Sequence, residues 1–147
     1  MTAVKDDFPD HTLSLLGQVM DGFGRELRAE PMPGAAKGLR TSQLRLLSLT
    51  PVDGMRVTDL AERVGMTKQA LGELANELEA RGLMESVRDP ADGRVRILRP
   101  TRRGRQAVEI GAGVIADIEE RWRARLGERK WEQLRSLLRQ AAEATRA

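Results

Sequence analysis

The chain has 147 residues, 32% of them charged and 40% hydrophobic, and a formal net charge of +3, a balance that fits one compact folded unit and excludes a disordered tail. It contains no cysteine and a single histidine, His11. That excludes disulfide frameworks, thiolate metal sites and thiol redox sensing, and leaves too few ligands for the usual zinc sets within one chain.

The first ten residues, MTAVKDDFPD, are acidic and polar where a secretory leader would be basic and then apolar, and uncharged runs such as Ile110 to Ala116 are far below ~18 residues. A cytoplasmic protein without a membrane segment is expected. In chain order, Leu13, Leu16, Met20, Phe23 and Leu27 form one apolar stripe of a helix. Pro31 to Arg40, with two prolines and two glycines, is expected to be a loop. Thr41 or Ser42 then caps a short helix with Leu44, Leu47 and Leu49, which stops at Thr50 and Pro51 before the turn Asp53-Gly54.

From Thr58 the pattern reads as two helices around one glycine. Thr58 caps a helix with Leu60, Ala61 and Val64, Gly65 ends it, and Thr67 caps a second helix with Leu71, Leu74 and Leu78 that Gly82 closes. Met84 to Arg88 and Arg94 to Arg99 flank Asp-Pro-Ala-Asp-Gly and read as a two-stranded ribbon with an Asp-Gly turn. Pro100 and Thr101 open a long helix with Ile115, Ile118 and Trp122 on one face. After Gly127 a last helix carries Trp131, Leu134, Leu138 and Ala141. The fold class is therefore mainly α, with one small β-ribbon.

The segment Thr58 to Leu74 has the make-up of a helix-turn-helix: a small residue, Ala61, where the helices cross, Gly65 for the left-handed turn, and Leu71 and Leu74 to hold the second helix on the first. With Leu71, Leu74 and Leu78 buried, Thr67, Lys68, Gln69, Gly72, Glu73 and Asn76 turn outward, and the N-terminal end of such a helix reaches base edges. Gln69 suits adenine, and Lys68 suits guanine or phosphate. Glu73, Glu77 and Glu79 argue that affinity comes mainly from elsewhere. The ribbon supplies it: from Met84 to Arg105 the chain holds seven arginines against three acids, a local footprint for a polyanion. Arg94 at the ribbon tip, with Arg88 and Arg96 on its arms, suits a narrow minor groove, and Asp92 is close enough to orient Arg94.

These motifs resemble the winged helix-turn-helix regulators of the MarR type. The similarity runs from the first helix to the last two. It is most specific in the helix-turn-helix, in Leu78-Glu79-Ala80-Arg81-Gly82-Leu83, in the wing Asp89-Pro90-Ala91-Asp92-Gly93-Arg94 and in Thr101-Arg102-Arg103-Gly104. The resemblance implies a homodimer on near-palindromic double-stranded DNA, joined by its first and last helices and often released by a small-molecule effector. It places Thr67, Lys68, Gln69 and Gly72 at the major groove and Asp92 and Arg94 at the wing pair. The chain departs from the family pattern at Glu73 and Gly93.

The expected organisation is one regulator domain over residues 1–147, with a DNA-binding winged helix at 42–100 and dimerisation helices at 11–30 and 101–147. An enzyme is not expected, because no convergent nucleophile, acid–base pair or phosphate loop is present. The rival reading is a winged helix for protein contacts or non-specific DNA binding without ligand control. Trp122, Trp131, Phe23 and Met20 are either core or the lining of an effector cleft between the helical and winged parts, and no ligand-binding residue is assigned.

Overall fold

A computed structural model describes residues 8–146; most of the acidic start, residues 1–7, and residue 147 lie outside the described residues. Among the described residues, six α-helices and three short strands follow in the order α1 (Thr12–Ala29), α2 (Thr41–Leu49), β1 (Met55–Arg56), α3 (Val57–Val64), α4 (Lys68–Ala80), β2 (Met84–Arg88), β3 (Arg96–Pro100), α5 (Arg102–Leu126) and α6 (Glu128–Ala144). The class is mainly α, as the periodicities indicate. No helix among the described residues is long and apolar enough to cross a membrane.

Local chemistry explains most boundaries. His11 caps α1, its Nδ1 accepting from Ser14 N–H at 3.1 Å. Thr67 and Thr101 cap α4 and α5 through hydroxyls that accept from Ala70 and Gly104 N–H. Gly65 ends α3 at φ 70°, where its own N–H reaches back into the last turn; a Cβ there would be strained.

Five details differ from the sequence reading. The loop before α2 holds a 3-10 turn, Gly34–Ala36, with Ala36 fully buried. Helix α2 starts at Thr41 after Arg40 as the N-cap residue, because Gln43 Oε1 accepts from Arg40 N–H at 2.9 Å and so supplies the cap from inside the helix. Helix α3 starts at Val57, ahead of Thr58, because Met55 and Arg56 pair with Leu98 and Ile97 and the chain enters the helix directly from that strand. The ribbon is thus part of a three-stranded antiparallel sheet in the order β1-β3-β2, and β3 begins at Arg96, two residues later than expected, leaving residues 89–95 as a wing loop.

One core joins the helix-turn-helix to the sheet: Leu46 and Leu47 of α2, Leu60 and Val64 of α3, Leu71, Leu74 and Leu78 of α4, then Leu83, Met84 and Leu98. Helix α5 closes this core with its small residues Gly104, Ala107 and Gly111, all buried. A Cβ on Gly104 would overlap the Leu83 carbonyl, and one on Gly111 would lie 2.9 Å from Leu44 Cδ2. Beyond the core, α5 continues alongside α1 and α6. There Phe23 and Trp122 sit with ring centroids 5.4 Å apart, Trp122 Nε1 donates to Glu26 at 2.8 Å, and Arg121 pairs with Glu30 at 2.8 Å. Trp131 is buried, whereas Met20 is 73% exposed.

Gly104→Ala is expected to destabilise the fold by about 1 to 3 kcal/mol, because the obstructing atom is backbone and cannot rotate away. Gly113→Ala, with open space around the added methyl, should be neutral or stabilise by up to ~1 kcal/mol through helix propensity. Chemical denaturation midpoints of the two variants check the contrast.

Candidate nucleic-acid interface

Helix α4 presents the residues singled out from sequence on its outer face. Thr67, Lys68 and Gln69 are exposed at its N-terminal end, with Gly72 half-buried and Glu73 and Asn76 exposed further along. No atom of the chain would meet a Cβ on Gly72, so nothing inside the fold calls for glycine there.

The carboxylates of this helix have uses that sequence reasoning missed. Glu77 turns toward α2, where Arg40 pairs with it and the buried Gln43 donates to it at 2.8 Å. Glu79 turns toward the sheet and pairs with Arg96 at 2.8 Å. Only Glu73 has no ion-pair partner among the described residues. The helix therefore carries less outward negative charge than its composition implies. Arg81 further anchors its C-terminal end by donating to the Lys37 carbonyl.

The wing loop is ordered by two aspartates. Asp89, buried, pairs with Arg56 Nη2 at 2.6 Å and accepts from Ala91 N–H at 2.9 Å. Its own N–H donates to the Val95 carbonyl at 2.9 Å, which closes the base of the loop. At the tip, Val95 N–H donates to the Asp92 carbonyl at 3.0 Å, forming a turn over Gly93 and Arg94. Asp92 Oδ1 accepts from Arg94 N–H at 3.1 Å and from Arg94 Nε at 3.2 Å. The Arg94 side chain is still 91% exposed, so the tip offers an oriented guanidinium with open donors. Arg88 Nη1 donates to the Gly93 carbonyl at 3.2 Å and remains exposed.

Arg96, grouped with these arginines by sequence, has its guanidinium turned onto α4 and β2. Arg102, Arg103 and Arg105 are exposed and lie beside the C-terminal end of α4, since Thr101 Oγ1 donates to the Gly82 carbonyl at 2.6 Å. The 13 residues of α4 span ~20 Å, so this cluster is a helix length away from Lys68. The partner of Asp89 stands on β1, a strand without a sequence signature of its own, so only the acid beside Pro90 hinted at that anchor.

Hydrogen bonding sets the charge state of both aspartates. The Arg94 guanidinium, then the Arg94 N–H, hold the Asp92 carboxyl below its ordinary range; for Asp89 the Ala91 N–H does so first, aided by Arg56.

A separate apolar cleft of about 310 Å³ opens between α1, α2 and α5, lined by Leu27, Thr41, Leu44, Arg45, Ser48 and Ile115 among others. The aromatic residues considered for such a cleft from sequence do not line this one, but Trp122 borders a second hollow of about 330 Å³ with Val19, Arg125, Leu126 and Leu134. Phe23 and Trp122 pack on each other, and Trp131 is buried.

The sequence matches the MarR family over residues 37–95, the span from the 3-10 turn's end to the wing tip. Over that span, under half of the chain, it is similar to the MarR family. It is 32% identical over 76 residues to YdgJ of Bacillus subtilis, named as an uncharacterized HTH-type transcriptional regulator; the match covers 51% of this chain and 46% of that protein, so it spans about half of that relative's length. The structure is similar over 99% of both chains to the PcaV transcriptional regulator of Streptomyces coelicolor, solved with its natural ligand, at 26% identity and a TM-score of 0.73. CouR of Rhodococcus jostii, solved with p-coumaroyl-CoA, shares the fold at 23% identity and a TM-score of 0.70 over 90% of this chain and 92% of that one. A structure of the CouR repressor on a 23-mer DNA duplex aligns at 23% identity and a TM-score of 0.73, over 90% and 93%. The structural likeness also takes in α1, α5 and α6, which lie outside residues 37–95.

Because the Asp92 carboxyl is stabilised in its charged form, the Arg94 fastening should be complete above pH 3.8 and lost only as pH falls through a lower value. Carboxyl NMR is expected to show Asp92 titrating below 3.8 and moving back toward it in Arg94→Ala.

Proposed function

We propose that the chain is a sequence-specific DNA-binding transcriptional regulator, acting in the cytoplasm as a homodimer on a near-palindromic operator and released by a small-molecule effector, without catalytic activity. The observation that carries this reading is the pairing of two exposed readers on one winged domain: the open N-terminal end of α4 and the Asp92-oriented Arg94 at the wing tip. Thr67, Lys68, Gln69 and Gly72 face the major groove, and Arg94, with Arg88 beside it, enters the adjacent minor groove, where a narrow groove concentrates negative potential. The fold shared with CouR, which has been solved on DNA, supports the partner, and PcaV with its ligand supports an effector. In this chain the effector's place is the apolar cleft, which holds Arg45 for an anionic group.

The dimer is supported by apolar surface left uncovered on the terminal helices. Leu13 is 76% exposed and Met20 73%, and Leu137 and Leu138 of α6 are exposed too. Single exposed apolar residues are ordinary, but a continuous stripe of them marks a contact surface. The unit 42–100 then reads DNA while α1, α5 and α6 join two copies, and two-fold symmetry sets the half-sites about 10 bp apart.

A competitor-DNA shift assay on the DNA flanking the protein's own gene separates this reading from a protein-contact or non-specific winged helix; binding abolished equally by any competitor would reject it. On the operator, Arg94→Ala is expected to weaken binding by about 1 to 3 kcal/mol and relax A·T preference beside the half-sites. Gln69→Ala should blur selection at one major-groove position and leave the salt slope nearly unchanged. Sedimentation is expected to give a dimer at micromolar concentration, and Leu13→Glu/Met20→Glu a monomer with its helix content kept and its operator affinity lost.

A further inference from the structure

Arg96 stands at the first position of β3, directly opposite Arg88 on β2. Two cations facing across a sheet repel, yet the side chain of Arg96 is not turned out to solvent as that of Arg94 is. Its Nε donates to Ser86 Oγ at 2.6 Å, and its Nη2 donates to Glu79 Oε1 at 2.8 Å and to Asn76 Oδ1 at 3.3 Å. The Ser86 hydroxyl donates to the same Glu79 oxygen. One guanidinium thus joins three elements: β3, which bears it, β2 through Ser86, and α4 through Asn76 and Glu79. Glu79 is also out of place on electrostatic grounds, since a carboxylate on a helix that approaches DNA opposes the phosphate field.

We propose that Arg96 is a positioning residue: with Glu79, Asn76 and Ser86 it fixes the distance and angle between the recognition helix and the wing, and does not hold phosphate itself. The inference rests on the DNA-binding reading above. A half-exposed ion pair adds little to global stability. Two readers that must enter neighbouring grooves together, however, gain from being held in register before they bind, because the ordering cost falls away. The arrangement needs arginine, whose planar fork serves several acceptors at fixed angles, where lysine offers one point charge. Glu79 is explained by the same geometry, as the acceptor shared by Arg96 and Ser86.

The two roles differ in sign. Removing the Glu79 charge alone should tighten binding to any DNA by Coulomb's law, whereas loss of the clamp should weaken operator binding. The test uses the full chain, the duplex that the wild-type protein enriches from a random-sequence pool, and an unrelated duplex of equal length, each titrated across a range of salt. Glu79→Gln, Arg96→Gln and Arg96→Lys are each expected to lose about tenfold in operator affinity. The salt slope should stay as in wild type, the double variant Glu79→Gln/Arg96→Gln should be no worse than the weaker single one, and thermal midpoints should hardly move. The proposal is overturned if Glu79→Gln binds both duplexes more tightly, if Arg96→Lys binds as wild type does, or if Arg96→Gln lowers the salt slope by about one unit, the mark of a lost phosphate contact. Amide exchange on the protein alone gives a second reading: the variants should exchange faster across residues 88–96, and unchanged exchange would also overturn the clamp. If the wild-type chain selects no sequence, the DNA-binding reading fails, while the exchange data still judge the clamp by itself.

Discussion

The seat of α5 against the turn after α4 is the contact on which the other placements depend. Gly104 lets the helix backbone lie on the Leu83 carbonyl, and Ala107 and Gly111 keep the approach close as far as Leu44. Thr101 fixes the start, its N–H donating to the Leu83 carbonyl and its hydroxyl to that of Gly82. From that seat 25 residues run out for ~37 Å, so a small angular error at Gly104 becomes a large displacement at Trp122 and beyond. In the proposed dimer, the spacing between the two copies of α4 would be set at this joint as much as at the surface where the copies meet.

Helix α4, the helix proposed to read DNA, carries acidic residues and still keeps its outer N-terminal face open. Glu77 and Glu79 differ by two positions and so point to opposite flanks, one to α2 and one to the sheet. Each is matched by an arginine and by an amide or hydroxyl donor. The negative charge is spent laterally, between elements of the domain. The face with Lys68 and Gln69 keeps its polar groups open. Net charge is therefore a poor guide to the field at this surface; which flank each charge occupies is what counts.

The parts legible in the sequence are those whose cause is local. Gly65, the Thr67 and Thr101 caps, the leucine spacing of α4 and the Asp92–Arg94 fastening all rest on residues within a few positions of one another. What was hidden rests on pairing across the chain. Strand β1 is two residues long and exists because β3 lies beside it, and it moves the start of α3 ahead of Thr58, although threonine is the better cap. Arg56 reaches Asp89 across that same pairing. From the sequence, Trp122, Trp131, Phe23 and Met20 stood either as core or as the lining of a cleft at the junction of the helical and winged parts. Trp122 does border a hollow with Val19 and Leu134, and the cleft between α1, α2 and α5 lies where Gly111 and Ala112 leave room beside Leu44, a vacancy made by small side chains that a search for large ones passes over.

The placement of Trp122 on α5 and Trp131 on α6 has an optical consequence. The chain has no tyrosine and no third tryptophan, so the helix-turn-helix and the wing are silent in near-ultraviolet emission, and all of the signal arises at the far end of α5. Trp122 is held there by Glu26 and lies under Arg125 at 6.0 Å, neighbours whose movement changes indole emission. A fluorescence change on DNA addition would therefore report a displacement carried along α5 from the reading surface. Emission left unaltered by DNA would mark the terminal helices as a rigid frame.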